Sequence, residues 1–153
     1  MSQTKLRSLS LFVRDLERSL ALYRDILGLE VYYDDTFTDP DVTSNLGLQG
    51  KKLHVVFLKS EGDAGMIGLF DIVDEEALGD ATPEQPPMPD SIKPGNVAAV
   101  FYCSDLDSLV PRIEAAGCKL LHPPMTFKHQ DYPESREMVF WDPDGIVVNL
   151  IEN

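Results

Sequence analysis

One short pattern occurs twice in this chain, and it constrains the fold more than any other feature. Val13-Arg14-Asp15-Leu16-Glu17-Arg18-Ser19, closed by Gly28, is echoed by Cys103-Ser104-Asp105-Leu106-Asp107-Ser108-Leu109, closed by Gly117. Both copies follow an apolar strand pattern. In both, an aspartate stands where its carboxylate can accept from the first free N–H groups of a helix. A glycine then permits the left-handed residue that ends a helix. The chain is therefore expected to build the same supersecondary unit twice.

Periodicity fills in each unit. Leu6 to Val13 alternates, with Leu9, Leu11 and Val13 on one face and Ser8, Ser10 and Phe12 on the other. Leu16, Leu20, Tyr23 and Leu27 form one apolar helical stripe. Leu29–Asp35, Lys52–Lys59 and Met66–Val73 read as three further strands. After the restart, Asn96–Cys103 is a strand, a helix runs from Asp105 or Asp107 to Gly117, and Cys118–His122 is a short strand. Arg136–Trp141 and Ile146–Ile151 then make a hairpin around Asp142-Pro143-Asp144-Gly145. Pro111 either defers the start of the second helix or removes one of its hydrogen bonds. Pro123–Ser135, with Phe127, His129 and Tyr132, is long for a connection and reads as a loop and candidate lid.

Between the halves, Pro83, Pro86, Pro87, Pro89 and Pro94 stand among acidic residues, and prolines forbid a regular ladder. The expected fold is α+β: two βαβββ modules, residues 1–74 and 96–153, joined by an exposed acidic linker over 75–95. One helix covers only one face of such a sheet. The two modules are therefore expected to pair around a concave cavity.

Charge and cysteine content narrow the partners. The 153 residues include 26 acidic and 13 basic side chains, a formal charge of −13, which repels nucleic acid and anionic membranes. The same excess suits solubility or attraction of a cationic ligand. No apolar run approaches the roughly 20 residues that span a bilayer, and the start of the chain lacks a signal-peptide pattern. Cys103 and Cys118 show neither zinc spacing nor a secreted disulfide framework, and read as packing thiols. A cytoplasmic location is the resulting expectation.

The first copy, continued by Tyr23-Arg24-Asp25-Ile26-Leu27-Gly28-Leu29-Glu30, closely resembles the first unit of vicinal-oxygen-chelate proteins, the glyoxalase/bleomycin-resistance/dioxygenase superfamily. Asp142-Pro143-Asp144-Gly145 before an apolar strand is similar to that superfamily's closing hairpin, and Asp105 with Ala115-Ala116-Gly117 matches its second helix. The resemblance covers nearly the whole chain except the acidic stretch. It implies two curled sheets around a ligand cavity, in a homodimer. In metal-using members it also implies a divalent ion held by His, Gln or Glu, which acts as a Lewis acid on substrate oxygens.

The same resemblance locates those ligands on the first and last strand of each unit. Seven residues before Asp15 stands Ser8, and seven before Asp105 stands Ala98. Five residues after Asp144 stands Asn149, and the first-unit counterpart falls near Gly68. Divalent catalytic ions take imidazole or carboxylate donors, so no metal and no other cofactor is expected. His54, His122 and His129 share no ligand spacing.

Several side chains are candidates for work without a metal. The resemblance, carried along each strand by parity, implies that Ser8, Ser10, Phe12, Gly68, Phe70, Ala98, Tyr102 and Asn149 line the cavity, making it apolar and aromatic. His54 faces either solvent or cavity, where it could serve as a hydrogen-bond partner or general base. Arg136 could clamp a carboxylate or enolate oxygen, and Trp141 packs beside the hairpin. Two functions follow. One is a metal-free protein that sequesters a small aromatic, carbonyl-bearing or cationic molecule, as bleomycin-resistance proteins do. The other is an isomerase, cyclase or lyase using His54, Tyr102 or Arg136, or a glyoxalase-like or dioxygenase-like enzyme with a metal site of another pattern.

Overall fold

Strand alternation decides which side chains each sheet presents, and both halves of the chain obey it. The structure, a computed structural model, describes residues 6–48, 50–62, 65–73, 88–130 and 132–153. It divides into two compact units, 1–84 and 85–153. Residues 75–87 of the expected linker lie outside the described residues, as do Asp74 and the side chains of His129 and Tyr132.

In unit 1, β1 (Ser8–Val13), β2 (Glu30–Phe37), β3 (Lys52–Lys59) and β4 (Met66–Val73) form one sheet in the order β1-β4-β3-β2. The β1–β4 pair is parallel, with Ser10 opposite Gly68 and Phe12 opposite Phe70. Helix α1 (Leu16–Leu20) begins where Asp15 Oδ1 accepts from the Arg18 N–H at 3.0 Å, a cap worth about 1 kcal/mol. The helix then widens into a π-helical segment, Ala21–Ile26, and the Leu27 N–H donates to the Leu22 carbonyl at 2.9 Å. Bonds spanning five residues rotate the stripe. Leu22 and Tyr23 become fully buried, while Leu27, expected in the stripe, is only half-buried. Leu11, Val13, Val56, Leu58, Ile67 and Leu69 form the buried face that meets this helix. A short helix α2 (Pro40–Ser44), not foreseen, starts on Asp39 with Pro40 in its first turn.

Unit 2 repeats the plan with one extra strand. The strands β5 (Ala98–Cys103), β6 (Lys119–Leu120), β8 (Tyr132–Trp141) and β9 (Val147–Glu152) run in the order β5-β9-β8-β6, and β7 (Met125–His129) pairs with β8. The stretch expected as a loop and lid is thus largely a β-hairpin. Met125 and Phe127 alternate with Thr126 and Lys128, the strand signature that the neighbouring prolines obscured. Helix α3 (Leu106–Ala115) is capped by Asp105, which accepts from the Ser108 N–H at 3.1 Å. Pro111 lies inside this helix, so the helix gives up a hydrogen bond there instead of starting later. Cys118 is buried and Cys103 half-buried, and neither is in a disulfide. Among the described residues no helix is long and apolar enough to cross a membrane.

Two carboxylate devices fasten unit 2. The buried Asp142 turns the hairpin: its Oδ1 accepts from the N–H groups of Asp144 at 2.9 Å and Ile146 at 2.8 Å. Gly145 completes the turn with φ of +83°, a conformation glycine adopts without strain. On the helix side, Arg136 donates to Asp107 at 2.9 Å and to Glu152 at 3.3 Å, while Glu152 accepts from the Leu106 N–H at 2.8 Å. Sheet and helix start are thereby joined.

Asp142→Ala should cost about 2–4 kcal/mol in urea unfolding, because two turn N–H groups lose a charged acceptor. Asp142→Asn, which keeps an acceptor oxygen, should cost clearly less. The hydrogen bond from Arg136 holds the Asp107 carboxyl below its usual range. That contribution is therefore present above the ordinary aspartate value and lost as pH falls through the depressed one. It is screened, since Asp107 is largely exposed. Asp107→Asn should make stability fall less steeply with acidification below about pH 4, read by unfolding midpoints.

Candidate functional site

The face of sheet 1 opposite α1 carries the expected Ser8, Ser10, Phe12, Gly68 and Phe70, all on one parity. Register adds Phe57, opposite Gly68, and Tyr33, opposite Phe57. The rings form a connected set. Phe12 and Phe70 meet edge-on with centroids 5.5 Å apart, Phe57 and Phe70 at 5.8 Å, and Tyr33 lies 6.3 Å from both Phe57 and Phe37. Such pairs add about 0.5–1.5 kcal/mol each beyond the area they bury. Leu53 and Val55 continue the surface, with Phe37, Leu48, Met66 and Ile72 packed against them. Phe12 remains 50% exposed.

Polar groups border this aromatic surface. The Arg7 guanidinium lies 4.9 Å from the centre of the Phe57 ring, a cation–π distance. The Tyr33 hydroxyl donates to Asp35 at 3.1 Å. Loss of surrounding water, then the Asp35 carboxylate, pushes the Tyr33 phenol up from its ordinary value. The arrangement can hold a flat apolar ring and offers a cation to an oxygen at its edge. Sequence reasoning missed Phe57, Tyr33 and Arg7. Phe57 was recoverable from its parity with Gly68, whereas the irregular register between Val31 and Tyr33 hides Tyr33.

In unit 2 the helix-free face carries Ala98, Val100, Tyr102, Asn149 and Trp141 by register. Tyr102 is 75% exposed, Asn149 half-buried, and Trp141 fully buried. Among the described residues, neither Trp141 Nε1 nor Asn149 Oδ1 has a hydrogen-bond partner. The same face holds Glu137, which sequence reasoning overlooked beside the more conspicuous Arg136. Its carboxylate accepts from the Ser135 hydroxyl at 2.7 Å and from the Asn149 amide at 3.3 Å.

Two other candidates point elsewhere. His54 stands on the helix side of sheet 1, opposite Thr36 and Asp71, with Nε2 2.7 Å from Asp34 Oδ1. Arg136 stands on the helix side of sheet 2, where Asp107 and Glu152 bind its guanidinium and raise its pKa. Within unit 1, His54 does not share a face with the aromatic set, and within unit 2, Arg136 does not share a face with Tyr102.

The metal positions implied by the family resemblance can be tested on these registers. Gly68 stands opposite Ser10 and Asn149 opposite Val100. Ser10 and Val100 each lie two residues beyond Ser8 and Ala98. Gly68 and Asn149 therefore occupy equivalent places in the two units. The residues do not fit a divalent ion: Gly68 and Ala98 carry no side-chain donor, and Ser8 and Asn149 are weak neutral ones. A side chain at Gly68 is also sterically opposed, because an added Cβ would lie 2.7 Å from Phe70 and 2.8 Å from Phe57 ring carbons. Among the described residues, no group of three or more His, Cys, Asp or Glu side chains could hold a metal. Gly68→Ala should displace both rings and cost about 1–3 kcal/mol, with shifted Phe57 and Phe70 ring resonances by NMR.

Comparison with known proteins places the chain. The sequence matches the Glyoxalase/Bleomycin resistance protein/Dioxygenase superfamily model over residues 5–150. A search of curated proteins returns no match. Among solved structures, a glyoxalase family protein from Bacillus cereus aligns at 17% identity over 99% of this chain and 97% of its own, with a TM-score of 0.75. A glyoxalase/dioxygenase from Nostoc punctiforme aligns at 22% identity over 97% and 90%, with a TM-score of 0.60. A mutant of the fosfomycin resistance protein FosX from Listeria monocytogenes, complexed with Mn(II) and a dihydroxypropylphosphonic acid, aligns at 19% over 98% and 93%, with a TM-score of 0.53. These likenesses are of fold. On the strength of the family match over nearly its full length, the chain belongs to the glyoxalase/bleomycin-resistance/dioxygenase superfamily.

Proposed function

We propose that the protein is a metal-independent binding protein for a small aromatic, carbonyl-bearing molecule. The observation that carries this reading is the connected ring set Phe12, Phe57, Phe70 and Tyr33 on the helix-free face of sheet 1. Half-exposed Phe12 offers a stacking surface at one edge of it. Ring stacking favours flat π systems over aliphatic ones. Arg7 at the border supplies a permanent cation with planar donors for a carbonyl or carboxylate oxygen. Gly68 lets the rings close over the sheet where a ligating side chain would otherwise stand. His54 and Arg136, the proposed proton-transfer groups, are engaged with carboxylates on the other faces, which favours binding over turnover. The homodimer and cytoplasmic location expected from sequence belong with this reading, and sedimentation of the purified protein tests the former.

A thermal-shift screen of aromatic aldehydes, ketones and carboxylates against their saturated-ring counterparts tests the proposal, since a ligand that binds only the folded state raises its stability. Aromatic members should raise the unfolding temperature and saturated ones should not. Phe12→Ala should weaken the best binder roughly 5- to 30-fold, the effect of about 1–2 kcal/mol. A screen in which saturated rings stabilise equally, or a Phe12→Ala protein of unchanged affinity, contradicts it.

A further inference from the structure

A second feature lies wholly within unit 2 and does not rest on the aromatic face of unit 1. Glu137 is half-buried in the helix-free face of sheet 2, with Met125 and Ile151 as its register neighbours on either side. Burying a carboxylate among apolar side chains is costly unless its charge is compensated. Among the described residues its side-chain partners are neutral: the Ser135 hydroxyl on one oxygen and the Asn149 amide on the other. A carboxylate has about four acceptor sites, so two donors leave it partly unsatisfied.

The neighbouring cation is turned away. Arg136, the adjacent residue, points to the opposite face and is held there by Asp107 and Glu152. Among the described residues no lysine, arginine or histidine forms an ion pair with Glu137. A second acceptor lacks a donor at the same place: among the described residues Asn149 Oδ1 is buried without a partner, on the side chain whose nitrogen holds Glu137. Ser135 and Asn149 therefore fix the carboxylate in position without neutralising it. On the same face, Tyr102 and Phe127 present exposed rings, as would suit the apolar part of a ligand.

We infer that Glu137, positioned by Ser135 and Asn149, is the anchoring group for a cationic nitrogen on a small ligand, a protonated amine or amidinium attached to an apolar or aromatic body. The recognition is a charge-assisted hydrogen bond to the carboxylate, and the chain's charge of −13 raises the local concentration of such cations. No bond is made or broken.

The test is a titration of isotope-labelled full-length protein with benzylammonium, with benzyl alcohol as the neutral probe of similar shape, read at the side-chain NH2 resonances of Asn149. Benzylammonium should shift them saturably and benzyl alcohol should not. Glu137→Gln removes the charge with little change of size and should weaken benzylammonium roughly 10- to 100-fold, as expected for a hydrogen bond to a charged group. Glu134, on the same strand as Glu137, forms an exposed pair with Lys128 of β7; Glu134→Gln removes the same unit of charge and should bind as the unaltered protein does. Asn149 resonances unmoved by benzylammonium overturn the inference, a result that needs no variant. So do equal responses to the neutral probe, undiminished binding by Glu137→Gln, or equal weakening by Glu134→Gln, which would reveal bulk charge alone. Because the readout sits in unit 2, failure here leaves the unit 1 proposal standing, and the reverse.

Discussion

Each sheet of this protein has two faces with apolar character, but each unit supplies one principal helix. Alternation along a strand sends successive side chains to opposite sides, so covering one face leaves the other to be closed by different means. In unit 1 the helix-covered face is filled by Leu11, Val13, Val56, Leu58, Ile67 and Leu69. The other face is filled by rings, and Gly68 makes that possible by leaving space that Phe57 and Phe70 occupy. In unit 2 the helix-covered face is tied to α3 by Arg136, Glu152 and Asp107. The other face retains the half-buried Glu137 carboxylate.

This division sorts the chemistry. Charged groups that an isolated sequence offers as catalysts, His54 and Arg136, fall on the helix sides and are occupied by Asp34, Asp107 and Glu152. Groups with spare interaction capacity fall on the helix-free sides: half-exposed Phe12, exposed Tyr102, and Glu137 with its neutral partners. A guanidinium already bonded to two carboxylates has little to offer a substrate. An aromatic ring exposed at the end of a packed row still has a stacking face.

The repeat, the Asp15 cap and the limits of β3 and β4 were legible in sequence because each depends on local chemistry or simple alternation, while the second cap was narrowed only to Asp105 or Asp107 before the structure assigned Asp105. So was the parity that puts Ser8, Phe12, Gly68 and Phe70 together. What was not legible depends on geometry that alternation does not encode. The π-helical segment moves the buried stripe from Leu27 to Leu22, and an irregular register on β2 conceals which way Tyr33 points. The β7–β8 hairpin was masked by Pro123, Pro124 and Pro133, although Met125 and Phe127 carried its period. Glu137 went unnoticed because its value lies in its neighbours. Ser135 shares its strand, but Asn149 comes from the next one.

This member of the superfamily presents neutral side chains, with rings packed over Gly68, at the positions where the resemblance implies metal ligands. Titration of the labelled protein with Mn2+, followed through paramagnetic broadening of backbone amides, tests this most directly. Broadening should spread over exposed acidic residues, with no preference for Ser8, Gly68, Ala98 and Asn149. Selective, saturable broadening centred on those four amides would contradict this reading.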